Sequence, residues 1–420
     1  MEKRSIIIVG GGIAGLVAAR ELADEYEITL LEANDRLGGR ICSLTPDGFG
    51  QVIEGGPEFI HGRLKNTIRL LDEAGIEYVK TTGRMLRKKA GKWKEQDEMM
   101  EGWDDLLKQM KKLDHDTTMY DFLQQYFGGE KYTEFRRHVT AYAEGFDIAD
   151  VRKASVKALY SEWSQEDGNN YRLPSGYGQL VEYLRKECIS KGCVLLTGKL
   201  VKQLDWEEGE VTVLTDNEEK YTADKAIVTI PIPLLQEVSA LASINFTPPL
   251  DEYVNAARNI GMGTVIKFLL KFKKAFWPAD AAFILSDEAV PTWWTLLPDT
   301  SPVLTGWLSG PKAELVTGEK DEVLLEKALL SLASIFEMTP GEIKEQLVAS
   351  AIFNWKTNEY AHGAYSYATP ASHAARKILT TPVAGSLYFS GEGLYEGAAL
   401  GTVEAAISQA KATASLIRGG

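Results

Sequence analysis

The sequence predicts an α/β fold, α+β overall, in which a parallel-sheet domain built from discontinuous segments carries an inserted domain of mixed sheet and helix. Three observations predict it. The first forty residues have the pattern of a strand, a glycine-rich turn, a helix and a second strand. A block of short strands begins near residue 193, and the last forty residues return to strand, glycine-rich loop and helix. The 420 residues allow two or three domains at roughly 150 residues each.

The composition is that of an ordinary globular chain, with 45% hydrophobic and 25% charged residues, and it excludes a disordered, collagen-like or coiled-coil protein. A net charge of −13 argues against nucleic-acid binding, because a phosphate backbone requires a basic protein face. The cysteines, Cys42, Cys188 and Cys193, are too few for a disulfide framework or a zinc site, which favours a reducing compartment. No apolar run is long enough to span a membrane, so we expect a cytoplasmic protein without a membrane anchor.

The N-terminal elements follow from apolar periodicity. Ser5–Val9 is a continuous apolar run of the kind found in a central parallel strand, and an apolar helix follows from Ile13. Ile28–Leu31 predicts the second strand, and residues 63–75 have the spacing of a helix. Residues 85–140 are dense in charged side chains and predict solvent-facing helices of an inserted region.

The rest of the chain alternates between short strands and helices. Strands are predicted within 193–196, 201–204, 211–214, 225–230, 263–272, 281–308 and 386–390, and helices within 321–352 and from about Thr402. We therefore expect one domain formed by residues 1–78, 173–245 and 356–420, and a substrate-binding domain formed by residues 79–172 and 246–355.

A dinucleotide-binding motif lies between the first strand and the first helix. Gly10, Gly12 and Gly15 have the GxGxxG spacing of a Rossmann-type site, in which the glycines allow a tight turn, the approach of a pyrophosphate and close helix packing. Ala14 lies in the first helical turn, where free N–H groups suit a phosphate. Glu32 ends the second strand at the spacing expected for a carboxylate that binds ribose hydroxyls.

The glycine motif alone does not show whether the bound dinucleotide is NAD or FAD. The residues that follow it distinguish the two. Leu31–Arg40 ends in two glycines and an arginine, and Arg40 is suited to hydrogen-bond a pyrophosphate. Together with Glu54–Gly56, this stretch resembles the flavin-containing amine oxidase family, which includes monoamine oxidases, polyamine oxidases and histone lysine demethylases. The resemblance implies an FAD-binding Rossmann-type domain.

The resemblance continues along the chain. Leu173–Leu180 is similar to the family's glycine-rich entry to its second cofactor-binding block, and residues 388–392 with 401–406 resemble its C-terminal flavin motif. Besides the residues above, the resemblance implies cofactor contacts from Gly55, Gly56, Pro57, Val201, Trp355, Tyr360, Gly391, Glu392, Gly401, Thr402 and Val403.

Lys267 lies in a run whose apolar residues fall on both faces of a strand. A lysine in such a buried strand needs an ion partner or a functional role, unless its ammonium group reaches solvent at the end of the strand. The family resemblance implies a lysine that is hydrogen-bonded through water to the flavin N5 and takes part in flavin reoxidation.

The aromatic residues Trp355 and Tyr365 lie in a glycine-broken segment that by composition could equally be a core-forming loop. The resemblance implies that both lie beside the isoalloxazine and that Tyr365 is one wall of an aromatic substrate cage. Ala364 replaces the cysteine that binds flavin covalently in monoamine oxidases, which implies non-covalent FAD. Thr402 replaces the second cage tyrosine, which leaves one aromatic wall.

His61 is a candidate proton acceptor or relay, because the similar segment of animal-type polyamine oxidases places a histidine near the flavin; the alternative is a loop histidine bonded to backbone. The histidine spacing predicts no metal site. Two further sets remain open: Tyr142, Glu144 and Phe146 as pocket, packing or surface residues, and Arg63, Arg84 and Arg172 as conceivable clamps for a substrate carboxylate.

The leading hypothesis is an FAD-dependent amine oxidase that converts a primary or secondary amine to an imine, with O₂ reduced to H₂O₂. The expected partners are a small-molecule amine and O₂, and the chain is expected to be a monomer or a homodimer. The alternatives are a related flavoprotein oxidoreductase or isomerase with a non-amine substrate, and a non-catalytic flavin-binding scaffold.

Overall fold

A five-stranded parallel sheet forms the centre of the first domain, in a computed structural model that describes residues 3–62, 64–89, 92–96, 101–166, 168–237 and 240–419. Arg4–Val9 is the central strand, and its isoleucines are buried on both faces because helices and a second sheet cover them. The spatial order of the strands is Val194–Leu196, Tyr26–Leu31, Arg4–Val9, Lys225–Val228 and Leu387–Phe389.

Helices cover one face of this sheet and a smaller sheet covers the other. The helices are Ile13–Leu22, Lys65–Ala74, Gly178–Ser190 and Val403–Gly419, which share one hydrophobic core with the sheet. The opposite core contains a four-stranded sheet (Lys220–Ala223, Glu210–Thr215, Val201–Glu207, Asn245–Thr247) and the helices Ile232–Gln236, Asp251–Ala257 and Ser372–Thr380.

The second domain contains a seven-stranded mixed sheet. In spatial order its strands are Leu347–Asn354, Val265–Phe272, Val303–Ser309, Thr292–Trp294, Ala281–Leu285, Arg84–Lys89 and Lys92–Glu95. Helices Gly310–Glu314, Asp321–Phe336 and Pro340–Gln346 accompany it. The α/β architecture with a mixed second domain is therefore as predicted.

Two predicted stretches differ from the structure. Part of the region predicted as helical within 85–140 is a β-hairpin, Arg84–Lys89 and Lys92–Glu95, whose alternation the dense charges hide. The helices of this region are not mainly solvent-facing: Trp103–Lys111, Met119–Tyr126 and Thr133–Gly145 pack with Val156–Trp163 around their own hydrophobic core.

The prediction of helix through 352 is also wrong, because Leu347–Asn354 pairs antiparallel with Val265–Phe272 as a strand. Helix Asp251–Ala257 packs on the core of the first domain, although the sequence assigns it to the second. The domain boundaries themselves stay a prediction. In the described parts of the chain, no helix is long and apolar enough to cross a membrane.

Three short sheets complete the fold: Ser43–Leu44 with Ile53–Glu54, Gly261–Met262 with Ser366–Tyr367, and Phe59–His61 with Asn170–Arg172 and Val79–Lys80. Single 3₁₀ turns lie at Glu130–Tyr132 and Glu392–Leu394. These short pairings hold the segments that border the space between the two large sheets.

Candidate active site

A continuous cavity of about 2590 Å³ extends from the carboxyl ends of the parallel strands to the seven-stranded sheet. All of the predicted catalytic residues line it, as do all of the predicted cofactor residues except Gly15. A Cβ on Gly15 would lie 2.0 Å from the Gly10 carbonyl oxygen, so this glycine allows the helix to pack against the strand.

The glycine turn at one end of the cavity has room for a phosphate. Gly10 has a φ of +111°, a conformation that favours glycine. Gly12 precedes helix Ile13–Leu22, whose N-terminus has no side-chain cap, and a Cβ on Gly12 would have no atom within 4 Å. Open space in front of uncapped N–H groups fits an anionic cofactor group.

Glu32 holds this turn together. Its carboxylate accepts hydrogen bonds from the backbone N–H groups of Gly11 at 2.6 Å and Asn34 at 2.8 Å. Burial raises the pKa of Glu32 above its ordinary value, and the two backbone bonds oppose that shift. The side chain lies at the end of strand Tyr26–Leu31 and borders the cavity, which is where a ribose would be bound.

Arg40 has a structural partner that the sequence did not indicate. Its Nη1 donates to Glu392 Oε1 and to the Ala364 carbonyl oxygen, both at 2.8 Å. The other Glu392 oxygen accepts from the Ser366 hydroxyl at 2.6 Å. Arg40 therefore joins the first glycine-rich segment to the C-terminal one, and its contact with a pyrophosphate stays a prediction.

The segment 55–58 is held against the second sheet from several sides. Trp355 Nε1 donates to the Gly55 carbonyl oxygen at 2.9 Å, and Lys267 Nζ donates to that of Gly56 at 3.1 Å. A Cβ on Gly55 would lie 2.4 Å from the Phe353 ring, and one on Gly56 would lie 1.9 Å from the backbone oxygen of residue 40. Because residues 55 and 56 have no side chains, this backbone can pass close to the Phe353 ring and to the backbone of residue 40.

Lys267 belongs to a buried ion triad whose central member is Glu58. Lys267 is 1% exposed within strand Val265–Phe272, and its Nζ is 2.8 Å from Glu58 Oε2. The other Glu58 oxygen pairs with the Arg172 guanidinium. Burial lowers the pKa of Lys267 to about 7, and the positive charge of Arg172 acts in the same direction.

The sequence indicated that Lys267 needs a partner but did not identify Glu58. In the sequence, Glu58 is visible only as an acidic residue next to the 55–57 segment. Its contact with Lys267 depends on how distant strands pair, which the sequence does not indicate. Arg172 cannot serve as a free carboxylate clamp because Glu58 already pairs with it. Arg84 pairs with Asp280 on the surface, and Arg63 lies outside the described residues.

Tyr365 stands beside the second glycine-rich segment. Its hydroxyl donates to the Phe146 carbonyl oxygen at 2.7 Å, and a Cβ on Gly401 would lie 2.4 Å from its ring. Thr402, where the resemblance would place a second cage tyrosine, accepts from the Ala405 N–H at 3.2 Å and so caps the C-terminal helix. The cavity wall at this point is one aromatic ring and a small polar side chain.

His61 faces the cavity from strand Phe59–His61. Its Nδ1 is 2.7 Å from Asn170 Oδ1, so Nδ1 carries the proton and Nε2 is the acceptor in the neutral ring. The surrounding protein lowers the pKa of His61 by desolvation, and the bond to Asn170 opposes this. Its ring lies 5.3 Å from that of Phe146.

The residues left open as pocket, packing or surface residues, Tyr142, Glu144 and Phe146, border the cavity. No group of three or more metal-ligating side chains occurs in the described ranges. The site therefore combines a nucleotide-binding end with an aromatic, lysine-containing end.

A family model, described as flavin containing amine oxidoreductase, matches residues 13–418. The chain belongs to this family. The expected membership of this family is confirmed by this match, which runs from the start of helix Ile13–Leu22 to the end of the C-terminal helix.

The relatives include histone demethylases and polyamine oxidases. Lysine-specific histone demethylase 1B from Mus musculus is 26% identical over 93% of this chain and 50% of its own length. Polyamine oxidase 2 from Arabidopsis thaliana is 26% identical over 92% of this chain and 83% of its own length. The chain thus spans about half the length of this histone demethylase.

Solved structures share the fold. Putrescine oxidase, in a structure described as wild type bound to putrescine, superposes with a TM-score of 0.82 at 22% identity and covers 100% of both chains. Cyclohexylamine oxidase from Brevibacterium oxydans IH-35A gives a TM-score of 0.79 at 20% identity, over 99% of this chain and 100% of the other.

Proposed function

We propose that this protein is an FAD-dependent amine oxidase that converts a primary or secondary amine to an imine and passes the electrons to O₂, which forms H₂O₂. One observation carries the proposal: a single cavity joins the Gly10–Gly12 turn and Glu32 to Lys267, Trp355 and Tyr365. The family match supports the amine-oxidising class, and relatives with polyamine and putrescine oxidase names support a small amine.

The residues that would hold FAD lie at four places along the cavity. Gly12 and Ala14 would face the pyrophosphate, Glu32 the ribose, and Val201 the adenine, while Gly401 and its neighbours would face the ring system. The flavin, when bound, supplies the two-electron acceptor. The chain supplies orientation, exclusion of water and control of protons.

The aromatic side chains orient the substrate. Trp355 is fixed by its hydrogen bond to Gly55, and Tyr365 by its bond to Phe146 and its contact with Gly401. Fixed aromatic faces bind an amine with little loss of rotamer freedom and attract its cationic form. They would present the carbon next to nitrogen in one orientation.

His61 and Lys267 would control protons. The lowered pKa of His61 keeps its imidazole neutral at pH 7, so Nε2 can accept a proton from a substrate ammonium. Only the neutral amine has the lone pair that assists loss of hydride. Lys267, with a pKa of about 7, can hold a proton close to the site or release it within the working pH range.

The cofactor is proposed to be bound without a covalent link. Ala364 occupies the position where the resemblance would place a flavin-linking cysteine. Cys42, Cys188 and Cys193 are buried, and none of them is among the cavity-lining residues of the described chain.

The test is an absorbance spectrum of the purified protein, followed by anaerobic addition of monoamines, diamines, polyamines and amino acids. Flavin bands that denaturation releases into solution, and that an amine bleaches, are the expected result. Bands that no amine bleaches would contradict the amine oxidase and favour an isomerase or a scaffold. A colourless protein that FAD cannot reconstitute would contradict the cofactor assignment.

A further inference from the structure

Two of the three cysteines meet where helix Gly178–Ser190 ends. The backbone N–H of Cys193 donates to the Cys188 carbonyl oxygen at 3.0 Å, and the N–H of Gly192 donates to that of Ile189 at 3.0 Å. Gly192 has a φ of +87°, so the helix ends in a Schellman motif. This motif turns the residue after the glycine back onto the last helical turn, and here both residues that it brings together are cysteines.

The two thiols contact each other and one neighbouring helix, Ile13–Leu22. They are hydrogen-bonded to each other, with Cys188 0% and Cys193 7% exposed. Cys188 Sγ lies 3.4 Å from the Leu16 carbonyl oxygen. Cys193 Sγ lies 3.9 Å from the Ala19 carbonyl oxygen, about one helical turn further on. Both cysteines are reduced, and the Schellman motif together with the thiol contact supplies the close approach that a disulfide requires.

Cys193 is the member of the pair that a solute reaches first. It keeps a small exposed area, and its neighbours Gly192 and Val194 lie at the surface. The hydrogen bond from Cys188 lowers the pKa of the Cys193 thiol; burial opposes this shift, and the charge of Lys191 adds to it. A thiol with a lowered pKa forms the thiolate, which is the form that reacts with peroxide. Cys188 lies behind it, where it can close a disulfide.

We propose that Cys188 and Cys193 are a peroxide-reactive pair whose disulfide weakens the binding of FAD. The Cys193 thiolate attacks one oxygen of H₂O₂, the O–O bond breaks, and the departing hydroxide takes up the proton that Cys193 released. A sulfenic acid remains on Cys193. The Cys188 sulfur attacks the sulfenic sulfur, the S–O bond breaks, and the departing hydroxide leaves as water with the Cys188 proton. Two thiols lose two electrons, and one H₂O₂ becomes two waters.

This inference goes beyond the proposed function and rests on it only for the source of the oxidant, since H₂O₂ is the product of the proposed oxidase. Neither cysteine is among the cavity-lining residues of the described chain. Peroxide therefore reaches the pair from the surrounding solution, after product has accumulated. A pair of this kind stays reduced in a reducing compartment until the peroxide concentration rises.

The pair is coupled to the cofactor site through helix Ile13–Leu22. The first turn of this helix faces the space proposed for the pyrophosphate, and the Leu16 N–H donates to the Gly12 carbonyl oxygen at 3.0 Å. A disulfide draws the two sulfurs to about 2.05 Å and removes the S–H groups beside the Leu16 and Ala19 carbonyls. Both of these residues are 0% exposed, and a closely packed core transmits such a shift to the helix. The helix N-terminus is then displaced from the phosphate.

The experiment treats reduced, flavin-loaded protein with H₂O₂ and counts free thiols after denaturation. The count is expected to fall from three to one. Trypsin cleaves after Lys191, so the disulfide is seen as one linked fragment where the reduced protein gives two. Equilibrium dialysis against FAD should give an apparent Kd at least roughly fivefold higher for the oxidised protein, and dithiothreitol should reverse both changes. By linkage, saturating FAD should move the oxidation midpoint in glutathione buffers toward the oxidised buffer by the same factor.

Cys193→Ala should bind FAD equally well before and after peroxide. The matched control is Cys42→Ala, which removes the buried cysteine outside the pair and whose two remaining thiols should still fall to none. Three free thiols after peroxide, or a disulfide that includes Cys42, would overturn the pair, and an unchanged Kd in oxidised wild-type protein would overturn its coupling to FAD. If Cys193→Ala does not fold, reversal by dithiothreitol in the wild type decides. If amine turnover yields no H₂O₂, the proposed function fails separately, and added peroxide still decides for or against the pair.

Discussion

Lys267 shows how much a single buried charge determines in this protein. Burial of a lysine that is 1% exposed favours loss of its proton, and Glu58 opposes this by accepting a hydrogen bond from Nζ at 2.8 Å. Arg172 then balances the second Glu58 oxygen. The charge of Lys267 therefore depends on burial and on two carboxylates, Glu58 in direct contact and Glu54 nearby, and the contribution of Glu58 can be tested directly.

Glu58→Gln is expected to shift the pH dependence of flavin reoxidation. The ammonium form of Lys267 is lost as pH rises through about 7, and a positive charge at the site favours electron transfer to oxygen, so reoxidation slows above that pH. Without the carboxylate the charged form is less stable, and the inflection moves to lower pH by about one unit. Stopped-flow mixing of reduced enzyme with O₂ from pH 5.5 to 9 measures it. Glu319→Gln, which breaks a half-buried ion pair with Lys327, is the control. An unchanged inflection in Glu58→Gln would contradict this dependence.

Gly401→Ala is expected to displace the Tyr365 ring. The new Cβ would lie 2.4 Å from that ring, and the φ of +69° adds strain. We expect the rate constant for flavin bleaching to fall at least roughly tenfold, because the ring no longer orients the amine. Gly385→Ala is the control. Gly385 has a similar φ of +65°, and a Cβ there would have no neighbour within 4 Å, so this variant adds only the backbone strain of about 1–2 kcal/mol without a side-chain clash. Equal activity losses in the two variants would rule out a specific role for the Tyr365 contact.

At the scale of elements, the strand–turn–helix unit separates packing from cofactor binding. Gly15 touches the strand backbone, whereas Gly12 faces open cavity. The two glycines belong to one motif, yet the geometry gives them different tasks. The same distinction applies to helix Val156–Trp163, whose Trp163 packs in a core while its neighbour Glu162 borders the cavity.

Gly12→Ala and Gly15→Ala are expected to fail in different ways. Gly12→Ala should fold with a Tm close to that of the wild type, because its Cβ meets no protein atom, but bind FAD at least roughly tenfold more weakly. Gly15→Ala should yield little folded protein, because its Cβ would overlap the Gly10 carbonyl and separate helix from strand. Thermal unfolding and flavin titration of apoprotein distinguish the two. Full cofactor affinity in Gly12→Ala would place the pyrophosphate elsewhere.

Asp147→Asn is expected to stabilise the substrate-free protein at alkaline pH. Because burial raises the folded-state pKa of Asp147, ionisation destabilises the fold as pH rises above the unfolded value near 4. The amide removes that cost, so the variant's Tm should exceed the wild type's by a few degrees at pH 8. The difference should shrink as pH falls toward the unfolded value, because the cost of ionising the buried carboxyl then disappears. A lower Tm for the variant at pH 8 would show that the carboxylate stabilises the fold.

At the scale of the whole molecule, the cavity lies between the two large sheets, and the protein carries a net charge of −13. A negative field attracts cationic substrates over a distance that salt shortens to about 8 Å at physiological ionic strength.

The second-order rate constant for flavin reduction by an amine is expected to fall as NaCl rises from 20 to 500 mM, by several-fold for a diamine and less for a monoamine. The limiting rate constant at saturating amine should stay constant. Salt screens the attraction between the protein and a free amine, but it does not screen the interactions inside the buried reaction site. Sodium sulfate at equal ionic strength is the control for specific chloride binding. A diamine rate constant that does not respond to salt would contradict electrostatic capture.

The sequence by itself determined the local elements and the motifs that depend on them. The strand Arg4–Val9, the turn at Gly10–Gly12 and the carboxylate of Glu32 are close in sequence, so their spacing is sufficient to predict a nucleotide site. The family resemblance added Lys267, Trp355 and Tyr365. The hairpin near Arg84 was missed because charged residues mask its alternation.

Only the tertiary structure decided what these residues contact. Glu58 meets Lys267 across 209 positions of sequence, and Arg40 meets Glu392 across 352, and no local pattern encodes either pairing. The same holds for Asp147, whose Oδ1 is buried without a hydrogen-bond partner among the described residues, because burial results from packing of separate helices. Period and spacing are local properties of a chain, whereas the surroundings of a charge depend on how distant segments meet.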